Sequence, residues 1–403
     1  MLMALAFAII LGILSGTITG LIPGLHVNTV VAMILALTAK GLMPYDSSVV
    51  AAYIMAMAVT HSVTEYIPTA LIGVPTSDDV MSLLPAHKLF SEGKAHFGIV
   101  LSATSSFIGG VITIFLSPLS QYIIKALSEL LTKHSVILIL AALILLPLVT
   151  GKNKISTMIV ILSSALLGLY SLQYSLLQPM LAGLFGLPVL IEALKSNAGS
   201  KEQSTNSSFS FVNKNFLLII TLSVVVGILF SYLPGAGPSS ASLLCIVLLP
   251  RLFSKGENII ALTSSLSTVN YAFSVYTMEF AGKARNGAVS GIMQLHIGNP
   301  NLTFILLGAM LFALIISTFE TFVISKLLIR RMSSISDKSY RIITFSVIVL
   351  NIVLSFALSG LLGLAFITVS TIAGYYCLKK DVQKVSMLSS LMVPVVLIYA
   401  GIQ

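Results

Sequence analysis

Gly20-Leu21-Ile22-Pro23-Gly24-Leu25-His26-Val27-Asn28-Thr29 interrupts an apolar run that begins at Leu2 and ends at Lys40. A helix built to cross a bilayer has no local reason to carry Pro-Gly near its middle. Proline removes a backbone donor and clashes with the carbonyl four residues back. Glycine beside it adds conformational freedom and no packing. In hydrocarbon the released backbone groups need partners, so a broken helix survives only where protein or a wet cavity surrounds it. The break recurs as Ser231-Tyr232-Leu233-Pro234-Gly235-Ala236-Gly237-Pro238-Ser239-Ser240. Two such breaks, one in each half of the chain, are the pattern of a transporter built from repeats.

Composition sets the class. Of 403 residues, 57% are hydrophobic and 9% charged, whereas soluble domains carry about 25% charge. Apolar runs of helix-spanning length recur from end to end. The fold class expected is an all-α polytopic membrane protein. Trp is absent, which leaves the 13 Tyr to anchor helices at the interface. The net charge of +9 sits in short loops between apolar runs, so it points to membrane orientation and not to nucleic acid. Cys245 and Cys377 lie far apart in apolar segments and read as packing residues, not as metal ligands or a disulfide. The N-terminus shows no basic leader or small-residue cleavage site, so the segment from Leu2 is expected to be a permanent membrane element.

The chain divides into residues 1–196, a polar Ser/Asn-rich linker at 197–215, and residues 216–403. In the first half the expected elements are the broken segment Leu2 to Ala39, a span from Val49 to Thr64, and a second broken unit from Tyr66 to Asp79. A polar loop from Pro85 to His96 and a clean span from Phe97 to Leu116 follow. Gln121 to Leu131 reads as an interfacial amphipathic helix. Three spans close this half: Val136 to Val149, Ile155 to Tyr170 and Tyr174 to Leu194. The second half has the broken segment Phe216 to Leu249, then Asn258 to Phe280, Ala288 to Ile297, Leu302 to Leu328, Ile342 to Leu358, Leu361 to Tyr376 and Val385 to Ile402. With both Pro-Gly segments turning back as hairpins, 17 of the 22 Lys and Arg fall in loops on one side, which is then cytoplasmic. Both termini come out on the other side. The two halves then enter the membrane from opposite sides, as inverted-topology repeats with re-entrant hairpins.

At the breaks the chain resembles the large membrane subunit of the tripartite tricarboxylate transporters, the TctA-like family. Leu233-Pro234-Gly235-Ala236-Gly237-Pro238 follows that family's Pro-Gly-Leu-Gly-Pro turn closely; in the first copy His26 and Val27 stand where Gly-Pro is usual. Gly73-Val74-Pro75-Thr76-Ser77-Asp78-Asp79, Leu84-Pro85-Ala86-His87-Lys88, Ser91-Glu92-Gly93-Lys94-Ala95 and the helix from Gly98 to Gly110 extend the similarity. The match is good over Gly12 to Pro118 and moderate over Gly227 to Gly291, as in a divergent branch. The resemblance implies a prokaryotic plasma-membrane transporter of carboxylates that works with a small membrane subunit and an extracytoplasmic binding protein.

The breaks also carry chemistry. A half-helix that starts inside the membrane points unpaired N–H groups and a partial positive charge inward, which suits an anion. The substrate-binding candidates are Pro23, Gly24, His26, Asn28 and Thr29 at the first break, Thr76 and Ser77 at the second broken unit, and Pro234, Gly235, Gly237, Ser239 and Ser240 at the later break. Capping and packing are the plain alternative for each small polar residue. His26 reads equally as a ligand or proton carrier and as a hydrogen-bonded interhelical histidine. Lys283 and Arg285 are candidates for holding the anion, against a simple surface loop. Intramembrane carboxylates are costly and point to function. Glu65 and Glu279 lie 42 and 45 residues beyond their own Pro-Gly, at similar places in the two halves. With Asp78 they are the candidates for a coupling proton or sodium ion; Asp78 with Asp79 also reads as a solvated cap. Glu192 and Glu320 are expected near cytoplasmic ends, snorkelling.

The expected function is secondary active transport of small organic anions through alternating access, without a cofactor beyond the coupling ion. No Gly-rich phosphate loop with Lys-Ser/Thr is present, which argues against ATP hydrolysis by this chain. The alternatives are a flippase for polyprenyl-phosphate or another anionic lipid, and, more remotely, a membrane enzyme using Glu65, His26 and Asp78. Membrane lipids, the small anion and a second copy of the chain complete the expected partners.

Overall fold

The computed structural model describes residues 2–22, 27–39, 46–72, 80–131, 133–174, 176–195, 203–205, 211–233, 236–295, 297–332 and 337–402. Among them there is no strand. Six helical runs are long and apolar enough to cross a membrane, or seven if one bent pair counts as a span.

The first half opens with α1 (Leu2–Leu21), α2 (Val27–Ala39) and α3 (Ser47–Thr64), followed by α4 (Tyr66–Ile72), α5 (Leu83–Ser91) and α6 (Ala95–Phe115). Helix α1 lies flush on α3 because Gly12, Gly16 and Gly20 form one stripe. A Cβ on Gly12 would stand 2.6 Å from the Tyr53 carbonyl oxygen, and one on Gly16 2.5 Å from that of Met57. Small residues every fourth position let helix backbones approach in this way. The register 12–53, 16–57 and 20–64 shows that α1 and α3 run in the same direction. The chain between α1 and α3, which includes α2, must therefore return.

The second half contains α12 (Lys214–Phe230), α13 (Pro238–Leu248) and α14 (Gly256–Ala281). Ser223 bonds Ser265 and Ser231 receives a hydrogen bond from Asn270, so α12 and α14 also run in parallel and α13 returns between them. Helix α6 runs back along α3, with Gly98 close to Tyr66. It is parallel to α14: Ser264 bonds Ser102 at 2.8 Å, Thr268 bonds the Ser106 carbonyl at 2.8 Å, and Tyr276 bonds the Ile114 carbonyl at 3.0 Å. Helix α16 (Leu302–Met332) packs against α3, α6 and α1. The directions follow: α1 and α3 point one way, α6, α12 and α14 the other.

The centre is α3 and α14, both buried on nearly every face. They carry hydroxyls and amides where α1, α9 (Lys154–Gln173) and α16 present Leu, Ile and Phe outward. This is the distribution a lipid solvent demands, with polar groups paired inside.

Several sequence expectations are refined. The polar loop from Pro85 contains α5, because Leu83, Ala86 and Leu89 recur every third residue and bury one face. Gln121 to Leu131 lies in α7 (Ser117–Leu130), whose axis makes an angle of 85° with that of α8 (Lys133–Thr150). The Tyr174 to Leu194 span is α10 (Leu177–Leu181), one π-helical turn, and α11 (Leu187–Lys195). Described parts of the linker are tied down. Gln203 donates to the Phe90 carbonyl at 2.9 Å and accepts from the Ala95 amide at 3.1 Å, while Phe211 packs on Phe97 and Phe216. The two late spans form α17 (Asp337–Lys379), folded at Gly360 with φ 59° and ψ −149°. A Cβ on Gly363 would meet the Ser355 carbonyl oxygen at 2.3 Å, whereas eight residues of straight helix span about 12 Å. The chain therefore reverses there. Helix α15 (Gly287–Gln294) and the terminal α18 (Ser389–Ala400) complete the fold.

Candidate functional site

The two hairpin turns stop short of the ends of the helices they accompany. Gly20 is level with Thr64, while the span of α3 and α4 continues seven residues further to Leu71, roughly 10 Å. Ser231 is level with Asn270, eleven residues before the end of α14 at Ala281, roughly 16 Å. The ends of α1 at Leu21 and of α12 at Phe230 thus lie within the length of the central helices.

The residues after α14 join them. Gly282 ends the helix in the left-handed conformation. The chain then descends along α14 instead of leaving it. The Arg285 amide bonds Ser274 Oγ at 3.2 Å, and Asn286 Nδ2 bonds Asn270 Oδ1 at 3.3 Å. Asn286 also caps α15 through the Val289 amide at 2.9 Å. At Gly287 the loop meets the first turn of α2: a Cβ there would overlap Asn28 Oδ1 at 1.8 Å. On the other side, Lys283 Nζ and Arg285 Cζ lie 5.5 and 5.7 Å from the centre of the Tyr232 ring, three residues before Gly235. Asn28, Tyr232, Ser231, Asn270, Ser274, Arg285 and Asn286 therefore converge between the hairpins.

Donors are in surplus here. Among the described residues Arg285 Nε is buried without an acceptor, and Nη2 contacts Tyr399 Oη of α18 at 3.5 Å. Ser240 Oγ, in the first turn of α13, is buried and has no partner. Ser239 is buried beside it, and Gly237 is the residue that precedes the helix. Unmade hydrogen bonds of buried donors are costly, so such groups mark a place for an acceptor.

A second polar group sits at the end of α1. Thr19 Oγ1 lies 3.0 Å from His61 Nδ1, and His61 Nε2 lies 3.3 Å from Glu65 Oε2, all buried. Thr19 Oγ1 is also 3.1 Å from the Gly16 carbonyl oxygen. When its one proton points there, His61 Nδ1–H donates to Thr19. A single further proton then lies between Nε2 and the Glu65 carboxyl. The place matched in the other half by contact with the hairpin end is Asn270 on Ser231, which is not ionisable.

The remaining expected residues divide. Glu279 is exposed and accepts from Thr303 Oγ1 at 2.9 Å, so it is not brought to this centre. Lys283 is exposed at the rim of the loop. Thr29 lies in the first turn of α2. Pro23, Gly24, His26, Thr76, Ser77, Asp78, Pro234 and Gly235 lie outside the described residues. Glu192 pairs with Lys379 at 2.9 Å at a helix end. Glu320 does not snorkel: it is half-buried, level with α1, and accepts a hydrogen bond of 2.5 Å from Thr17. The longer reach of α16, to Met332, sets it deeper than the sequence suggested.

Sequence reasoning missed His61, Thr19, Asn270, Ser274 and Asn286. The His61–Glu65 spacing of four residues, inside an apolar helix, was the legible signal for the first. The asparagines gave none, because their roles depend on a loop folding back.

Comparison with known proteins places the chain. It is similar to an uncharacterised protein of the archaeon Methanocaldococcus jannaschii, 28% identical over 320 residues, covering 77% of this chain and 76% of the relative. No solved structure matches it. Residues 6–389 match the family described as the Tripartite tricarboxylate transporter TctA family. That match speaks for a transporter and gives no support to a lipid flippase. The chain, a multi-pass membrane protein, belongs to the tripartite tricarboxylate transporter TctA family.

Proposed function

We propose that this protein is a secondary active transporter of small organic anions, carboxylates by class, with the anion held between the two hairpin turns. The observation that carries the reading is the loop 282–287. It brings Arg285, whose Nε has no acceptor, to the level where Asn270 meets Ser231 and Gly287 meets Asn28. Arginine presents a planar fork that matches a carboxylate. The first turns of α2 and α13 add backbone donors, with Ser239 and Ser240 beside them.

The repeated pairings support an inverted repeat: α1 with α3 and α12 with α14, α16 with α3 and α6 with α14, each set opposite in direction. In such a frame, rocking of one half against the other exposes the fixed site to each side in turn. The coupling ion of this reading is a proton at the His61–Glu65 pair, which has room for one shared proton next to the first turn. The tripartite family further suggests a small membrane subunit and an extracytoplasmic binding protein as partners, in the cell membrane.

The test is uptake of labelled citrate into proteoliposomes with the partner subunits supplied, under an imposed proton or sodium gradient. Gradient-driven uptake that Arg285→Gln sharply lowers is the expected result. Uptake by Arg285→Gln at the wild-type rate would overturn the site, and uptake indifferent to both gradients would overturn the coupling.

A further inference from the structure

A cavity of about 530 Å³ opens beside the second hairpin turn, lined by Gln121, Lys125 and Ser128 of α7, by Tyr232, and by Phe280 and Lys283 at the end of α14. Its volume falls in the range of small-ligand sites. Gln121, Lys125 and Ser128 are spaced four and three apart, so they share one face of α7. Among the described residues no acidic side chain lines the cavity. Among the described residues, neither Lys125 nor Lys283 is in an ion pair. Tyr232 is common to both compartments: it lines the cavity, and its ring carries Lys283 and Arg285 at 5.5 and 5.7 Å. Two cations held over one ring repel each other, and an anion between or beside them relieves that repulsion.

We propose that this cavity is an outer holding subsite for a small polycarboxylate. The anion is first gathered by Lys125 and Lys283, with Gln121 and Ser128 donating to its oxygens. It then passes Tyr232 to Arg285. Two ammonium groups facing one space favour an anion with more than one carboxylate over a monocarboxylate. α7 lies at the end of α6 that is shared with the end of α14, so the subsite serves one side of the membrane only. The assignment rests on the transport reading above and adds to it a separate place, filled before the central one.

Citrate uptake at low ionic strength tests it, with wild type, Lys125→Gln and Lys125→Arg as the full chain reconstituted with its partners. Lys125→Gln is expected to raise KM roughly five- to tenfold while kcat is retained, as loss of one steering charge does. Lys125→Arg should keep the low KM, and added salt should bring Lys125→Gln and wild type together. An unchanged KM for Lys125→Gln at low salt would overturn the subsite. The assays are repeated in phosphatidylcholine alone and with anionic lipid. A KM shift confined to the anionic-lipid vesicles would mean that the cavity seats a lipid headgroup, and would overturn the polycarboxylate assignment. Arg285→Gln separates the two readings: loss of transport there, with Lys125→Gln unaffected, leaves the central site standing and removes only the subsite.

Discussion

In the proposed transport cycle, Arg285 binds the anion and the His61–Glu65 pair carries the coupling proton. Arg285 reaches the centre only because its own amide is pinned to Ser274 and its neighbour Asn286 to Asn270. Replacing it by Gln removes a charge-assisted bond worth about 1.5–3 kcal/mol, so kcat/KM for citrate should fall roughly 10- to 150-fold. Lysine at this position keeps the charge and loses the fork, so Arg285→Lys should recover only part of the rate. Radiolabelled uptake decides both. Glu65 makes a different contribution. In Glu65→Gln the carboxyl that faces His61 Nε2 at 3.3 Å is gone. Exchange of internal for external citrate should then persist while accumulation against a gradient is lost. Full gradient-driven accumulation by Glu65→Gln would leave the pair a structural contact between α3 and the end of α1.

Among the helices, the α1–α3 contact leaves no room for a side chain. A Cβ on Gly16 would meet the Met57 carbonyl oxygen at 2.5 Å and the Thr60 Cβ at 2.7 Å, and neither backbone can yield locally. Gly16→Val should cost about 1–3 kcal/mol through overpacking and shift the first hairpin turn with it. Thermal unfolding in detergent measures this, with Gly308→Ala as the control, since nothing lies within 4 Å of that position. Gly360 is a second fixed point. Its φ of 59° and ψ of −149° belong to a region essentially closed to residues with a Cβ, so Gly360→Ala should cost about 1–3 kcal/mol. That loss should appear as a lower yield of folded protein. These glycines were legible in the sequence only in part. Gly12, Gly16 and Gly20 announce themselves by a fourfold spacing, whereas Gly360 between two apolar runs read simply as a boundary.

At the scale of the molecule, the two breaks were legible because Pro-Gly acts on the backbone itself, whatever surrounds it. The layout around them was legible because lipid forces apolar runs and loop charge into register. The site between them was not, for a physical reason. Residues 282–287 look like a short polar connection, and only contact with Asn270 and Ser274 of α14 draws them inward. The same limit applies to the loop from Pro85, where burial of Leu83, Ala86 and Leu89 overrides the polar composition. What the layout predicts is sidedness. Glu92 follows α5 at the end where α6 begins; Lys125 follows α6 at the other end, near the close of α14. Charge counted along the loops assigns the first end to the cytoplasm and the second to the exterior. Glu92→Cys and Lys125→Cys should therefore react with a membrane-impermeant maleimide from opposite sides of intact cells, Lys125→Cys directly and Glu92→Cys only after permeabilisation. The native Cys245 and Cys377 are buried and should stay silent. Labelling of both positions from one side would refute α6 as a membrane span, and the predicted sidedness with it.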